Sequence, residues 1–214
     1  MHMKKRTAFI IMFVLGFAGA LIAADVTDLA KNTEVGVEKH GQVTNYYAKK
    51  DPIRYAESVI KKTDAEKKGL WNYVQNNPDK VTPITYMALA DYIFALGDKN
   101  DGLFWYYVGS LRAYEDLHMC DDKTAWAQVQ IYPMLAPKTA EYSGTLSADE
   151  RGKLTKKALK WDEEHSKRVN PEWACYHGME VFSKGKVTTK PLSEYPAVQK
   201  EFREKVLKSL SGRN

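Results

Sequence analysis

The chain has 214 residues, of which 44% are hydrophobic and 28% are charged, values close to the averages of globular proteins. This composition excludes a fibrous protein and a wholly disordered one, and the length favours a single domain with a short appendage. Only one apolar stretch, near the N-terminus, is long enough to approach the thickness of a bilayer, which excludes a polytopic membrane protein.

The N-terminus has the layout of a secretory signal peptide. A basic segment, Lys4–Arg6, precedes the uncharged run Ala8–Ile22, and the small residues Ala23 and Ala24 follow. We therefore predict a signal peptide over residues 1–24. An earlier cut in the alanine-containing stretch just upstream and an uncleaved membrane anchor are the alternatives. No cysteine lies near the cut, so we expect a periplasmic or secreted protein that is not a lipoprotein.

The predicted cleavage changes the charge of the chain. The net charge is +5, and residues 1–24 contain three basic and no acidic residues, so the mature chain has a net charge of +2. Its lysines are scattered among acidic residues, whereas nucleic-acid-binding domains carry a basic stripe. We expect no nucleic-acid partner and no membrane association after cleavage. No linker or shift in composition divides residues 25–214, which we predict to form one helical domain.

The first part of the mature chain contains short alternating stretches. Val35 and Val37 alternate with other residues before Lys39–Gly41, and Val43 begins a second such stretch. This pattern is equally compatible with a short β-hairpin, an ordered arm and a flexible lead-in.

From Asp51 onward, apolar residues recur at helical spacing. Leu70, Trp71 and Val74 form one apolar face. Thr82 is positioned to begin a helix over Ile84–Leu96, and Leu103–Met119 forms a second long helix after a turn. The pattern predicts a mainly α fold built from compact antiparallel helical hairpins.

Beyond Cys120 the helical signals are shorter. Asp122 begins a short segment, and Ser147 with Glu150 has the spacing of a capping box. Asn170–Pro171 begins another short helix. A terminal helix follows Tyr195–Pro196, with apolar residues four positions apart and a face of lysine and glutamate.

The two central helices carry a motif known from repeat proteins. The pair Gly97–Asp98 opens the turn between them, and the aromatic pair Trp105–Tyr106 follows on the second helix. This arrangement resembles a tetratricopeptide or Sel1-type helical hairpin over residues 84–119. An internal offset of 34 residues extends the likeness, with fewer matching positions, over residues 53–119. In size, export and aromatic-rich helices, the chain is also similar to small periplasmic immunity proteins, which implies a protein partner.

Cys120 and Cys175 are the only cysteines. An even count in an exported chain favours a disulfide, because that compartment is oxidising. Two free thiols are one alternative. A zinc site is the other, since His118 and His177 form mirrored pairs with the cysteines, but this spacing is unlike that of structural zinc sites. We predict the disulfide and no metal or other cofactor.

No catalytic motif appears in the sequence. It contains no glycine-rich phosphate loop, no nucleophile elbow and no metal-binding His-Glu-x-x-His helix. Glu163, Glu164 and His165 are adjacent, but neighbouring helical residues point about 100° apart, which indicates a charged surface. We predict no catalytic residue.

Aromatic residues make up 12% of the chain and cluster at Phe104–Tyr107. One face of a helix cannot bury four consecutive side chains, so we expect Tyr106 to be partly exposed. Tyr106, Ser110 and Tyr114 are four residues apart and share one stripe, with Arg112 among them. We predict that these four residues contact a partner. We also predict that a more apolar side of this helix packs against Ile84–Leu96, and this side is formed by Phe104, Val108, Leu111 and Leu117.

These observations favour an exported helical protein-binding module. Its most concrete form is a periplasmic immunity or inhibitor protein that blocks a toxic enzyme. The alternative is a small periplasmic hydrolase that acts on cell-wall or glycan material through carboxylates that the sequence does not identify.

Overall fold

The computed structural model describes residues 35–40, 43–48, 56, 59–168, 170–185 and 187–211, and these are mainly α-helical. The α-helices are α1 (Asp64–Asn76), α2 (Pro83–Ala95), α3 (Lys99–Leu117), α4 (Tyr132–Leu135), α5 (Pro137–Thr145), α6 (Ala148–Glu164), α7 (Met179–Lys184) and α8 (Tyr195–Ser211). Three 3-10 segments occupy Lys123–Ile131, Pro171–His177 and Leu192–Glu194. Strands β1 (Val35–His40) and β2 (Val43–Ala48) pair in antiparallel register, with Val35 opposite Ala48.

The predicted signal peptide, residues 1–24, lies outside the described residues. Within the described part of the chain, no helix combines the length and the apolar character needed to cross a membrane.

Side-chain caps fix where several helices begin. The predicted capping box of α6 is present, because Ser147 accepts a hydrogen bond from the Glu150 amide and the Glu150 carboxylate accepts one from the Ser147 amide. Helix α3 begins at Lys99, four residues before the predicted start at Leu103. The Asp98 side chain caps the Asp101 amide, so residues expected to form a turn belong to the helix.

Helices α2 and α3 pack closely through glycines. A Cβ atom at Gly102 would lie 2.7 Å from the Cβ of Phe94, and one at Gly109 would lie 2.7 Å from Cγ of Met87. The earlier glycine of α3 meets the later residue of α2, and the later glycine meets the earlier residue, so the two helices are antiparallel. The Phe104 ring contacts Trp161 of α6, with ring centroids 6.4 Å apart, and its packing against α2 stays a prediction.

Trp105 lies at the centre of the core, and its ring joins four helices. Its centroid is 4.8 Å from that of Trp71 in α1, 5.5 Å from that of Tyr86 in α2 and 5.0 Å from that of Trp161 in α6. Each aromatic pair adds about 0.5–1.5 kcal/mol to the free energy gained from burial. The aromatic richness of the sequence therefore serves the core as well as the surface.

The predicted disulfide between Cys120 and Cys175 is confirmed. It links the residues just after α3 to the 3-10 segment Pro171–His177. Both thiolates are consumed by the bond, so the alternative zinc site has no cysteine ligands in the oxidised protein. Among the described residues, no group of histidine, cysteine, aspartate and glutamate side chains is arranged to hold a metal ion.

Candidate functional site

Six charged side chains meet in the interior between α3, α6 and α8. Helix α3 contributes three of them, α6 one, the following loop one and α8 one. The three carboxylates are completely buried, and two of the three guanidinium groups are at most 2% exposed. We call this group the buried ion network, and it consists of Arg112, Glu115, Asp116, Asp162, Arg168 and Arg203.

Asp162 is the hub of the network. Its Oδ1 accepts from Arg112 Nε at 2.8 Å and from Arg168 Nη2 at 2.5 Å. Its Oδ2 accepts from Arg203 Nη2 at 2.6 Å and from Arg203 Nε at 3.0 Å. One carboxylate near the end of α6 thereby holds guanidinium groups from α3, from the loop and from α8.

The other two carboxylates extend the network to the rest of the fold. Glu115 accepts a hydrogen bond from Arg168, and its Oε1 lies 3.5 Å from Arg203 Nε. Asp116 accepts a hydrogen bond from Trp173 Nε1 at 2.7 Å and another from the Tyr195 hydroxyl. The 3-10 segment that carries the disulfide and the start of α8 are therefore both tied to α3.

The carboxyl groups of the network differ in acidity. Burial raises the pKa of Glu115 to about 8, although the neighbouring Arg168 and Arg203 oppose this change. Burial also raises the pKa of Asp116. For Asp162, burial acts in the same direction, but the surrounding guanidinium groups outweigh it and hold the pKa below its usual value.

The structure corrects the predicted role of Arg112. This residue is 1% exposed, so it is not available to contact a partner at the surface. Its remaining donors reach backbone carbonyls, with Nη1 2.9 Å from the oxygen of Pro78 and Nη2 2.5 Å from that of His165. The sequence contained a partial signal, because Arg112, Glu115 and Asp116 have helical spacing, but the side chains that they bind are 50 or more residues away.

Tyr106, Ser110 and Tyr114 lie on the side of α3 away from the buried ion network, and each is half-buried. Ser110 contacts Met87 of α2 through a 3.5 Å hydrogen bond to sulfur, so this residue does not face fully outward. The Tyr114 ring packs against Trp126 and Tyr132, with centroids 6.2 and 6.0 Å away. Burial raises the pKa of both tyrosines. The stripe remains accessible in part, as predicted for Tyr106.

A groove of about 350 Å³ runs between α6 and α8. Arg203 forms part of its wall, and the same residue binds Asp162 behind it. The groove therefore adjoins the buried ion network without exposing its carboxylates. Its lining is Lys156, Leu159, Lys160, Glu163, Lys200, Arg203, Glu204 and Leu207.

Comparisons with protein-family models, with curated proteins and with solved structures found no match for this chain.

Proposed function

We propose that this chain is an exported helical protein-binding module and that the groove between α6 and α8 is a principal contact surface. The observation that carries the proposal is that both helices are joined at the groove, through Asp162 and Arg203, to one buried ion network. The two walls of the groove are thereby held in a fixed relation. A surface that is already ordered loses little conformational entropy on binding, which favours affinity.

The half-buried tyrosines of α3 provide a second element of support. Tyrosine is common among the residues that dominate binding energy, because its large ring can be buried while its hydroxyl forms hydrogen bonds at the edge of the interface. Tyr106 and Tyr114 have this character, and the opposite side of their helix is anchored in the core. The resemblance of residues 84–119 to tetratricopeptide and Sel1-type hairpins agrees with a role in binding proteins.

The most concrete form of the proposal is a periplasmic immunity or inhibitor protein that covers the active site of a toxic enzyme. Such a protein needs a rigid surface and no chemistry of its own. The ionisable groups that are concentrated inside this fold are paired with one another, and this arrangement is suited to fixing helices.

Affinity purification from the native cells tests the proposal. The tagged protein should recover a partner in stoichiometric amount. A variant with three groove lysines neutralised, K156Q/K160Q/K200Q, should recover much less of it. The control K68Q/K138Q/K205Q removes the same charge from exposed positions outside the groove stripes and should recover as much partner as the wild type. Recovery of no stoichiometric partner by the wild-type protein would refute the binding function.

One observation favours a hydrolase as the second candidate. Glu115 and Asp162 are neighbouring carboxyl groups whose pKa values are displaced in opposite directions, the pattern found in glycosidases with one acid and one ionised carboxylate. Both are completely buried and bound to Arg168, so a substrate would first have to displace this guanidinium group. Release of soluble sugars from purified cell walls, abolished by E115Q, would favour this candidate over the binding module.

A further inference from the structure

The α6–α8 groove is formed by two helical stripes that face each other. On α6 the stripe contains Lys156, Lys160 and Glu163, which are spaced four and three residues apart. On α8 it contains Lys200, Arg203, Glu204 and Leu207, which also repeat at helical spacing. The groove is therefore a continuous feature of two long helices and does not depend on a loop.

Lysines and glutamates both line this groove, and the lysines are in excess. Lys156 and Lys160 are like charges at an i,i+4 spacing, an arrangement that destabilises a helix. Lys200 lines the same groove from the opposite helix. Arg203 is already bound to Asp162, so its charge is largely neutralised by the protein itself. Glu163 and Glu204 offset two of the three lysine charges, so the lining keeps a net charge of +1 that a bound anionic group would neutralise.

Apolar surface lies beside these lysines. Leu159 is buried in the wall of the groove, and Leu207 lines it while 46% exposed. An exposed leucine next to lysines fits a ligand that has both an apolar and an anionic group. The volume is near the lower end of the range for ligand sites, which suits a few side chains of a peptide.

We propose that the groove binds an acidic segment of the protein partner, in which aspartate or glutamate side chains contact Lys156, Lys160 and Lys200 and an apolar side chain contacts Leu207. This inference rests on the proposed binding function and specifies the chemistry of the partner. The carboxylates of Glu163 and Glu204 line the same groove and would repel a continuous polyanion. They therefore favour a peptide of mixed character over a nucleic acid or an anionic membrane surface.

Selection from a random-peptide library displayed on phage tests the inference with the purified, oxidised protein. The enriched peptides should combine aspartate or glutamate with leucine, isoleucine or phenylalanine. A synthetic peptide from this set should bind K156Q/K160Q/K200Q about tenfold more weakly than the wild type, while K68Q/K138Q/K205Q keeps the wild-type affinity. Binding should also weaken as salt is added, because exposed charge pairs are screened. Thermal unfolding of each variant verifies that the fold is retained.

Several results would overturn the inference. Enriched peptides that are basic or uncharged, or that bind the groove variant as tightly as the wild type, would contradict it while leaving the binding function intact. Failure to enrich any peptide would also overturn it, and affinity purification from cells would then decide the binding function separately. Phosphatidylglycerol vesicles or a DNA oligonucleotide that bind the wild type and not the groove variant would reassign the groove to a polyanion.

Discussion

Replacing Asp162 by asparagine should destabilise the protein more than any conservative change at its surface. The carboxylate accepts four hydrogen bonds from Arg112, Arg168 and Arg203 and is completely buried. Asparagine keeps the shape, but it removes the charge and turns an amide group toward guanidinium donors. Three buried or partly buried cations would then face two carboxyl groups. Removing one partner of a buried ion pair typically costs about 3–5 kcal/mol.

Glu115 reduces this cost in part. The negative charge of Asp162 contributes to the raised pKa of Glu115, so its removal favours ionisation of Glu115 and returns some negative charge to the network. We therefore expect the lower half of the range, about 3–4 kcal/mol. For a domain of this size, this corresponds to a decrease of roughly 6–16 °C in Tm.

Urea unfolding followed by tryptophan fluorescence measures the change. The matched control is D149N on the same helix, where Asp149 pairs with Lys153 at 2.6 Å and both side chains are 74% exposed. A pair this exposed contributes little to stability, because water screens its charges, so this control should unfold near the wild-type midpoint. A D162N protein as stable as the D149N protein would refute the conclusion that the buried ion network holds the helices together.

Three further predictions concern other parts of the molecule. Reduction of the Cys120–Cys175 disulfide should lower Tm, because a cross-link between residues 55 positions apart contributes about 4 kcal/mol by restricting the unfolded chain. Calorimetry with and without reductant measures the change in Tm. The pKa of Glu115 is about 8 in the folded protein and 4.5 in the unfolded chain, so between these pH values the folded protein binds one more proton. The free energy of unfolding should therefore fall as pH rises from 4.5 to 8. Urea unfolding at several pH values should give a flatter profile for E115Q. The double variant Y106A/Y114A should remain folded and bind the isolated partner more weakly, by about 1–2 kcal/mol for each tyrosine, as calorimetric titration would measure.

Each of these has a clear contrary result. An unchanged Tm after complete reduction would show that the disulfide adds no stability. An E115Q profile that parallels that of the wild type between pH 4.5 and 8 would show that Glu115 is not the titrating group. A Y106A/Y114A protein that unfolds would assign both tyrosines to the core, and full partner affinity in a folded double variant would remove them from the interface.

Local patterns in the sequence predicted local structure well. The capping box of Ser147 and Glu150 begins α6 as its spacing indicated, because both partners lie within one helical turn. The start of α3 was missed, since Asp98 was interpreted as part of a turn although its side chain caps the helix. The disulfide was predictable because only one intramolecular pairing of Cys120 and Cys175 exists.

Structure that depends on distant residues was not predictable in the same way. Gly109 has no side chain, so an apolar-periodicity pattern gives it no weight, yet it decides which side of α3 meets α2. Arg112 was predicted to contact a partner because it lies among Tyr106, Ser110 and Tyr114 in the sequence. Its burial requires Asp162, which is 50 residues away on another helix, and nothing in the local sequence connects the two.

Hydrogen–deuterium exchange of the protein alone and in complex with the partner recovered from cells tests the central claim most directly. If the partner occupies the groove between α6 and α8, peptides that cover residues 154–164 and 198–208 should exchange more slowly in the complex. Peptides from α1, which does not line the groove, should exchange at the same rate in both samples. Protection confined to other parts of the chain, with no change at α6 and α8, would contradict the proposed binding surface.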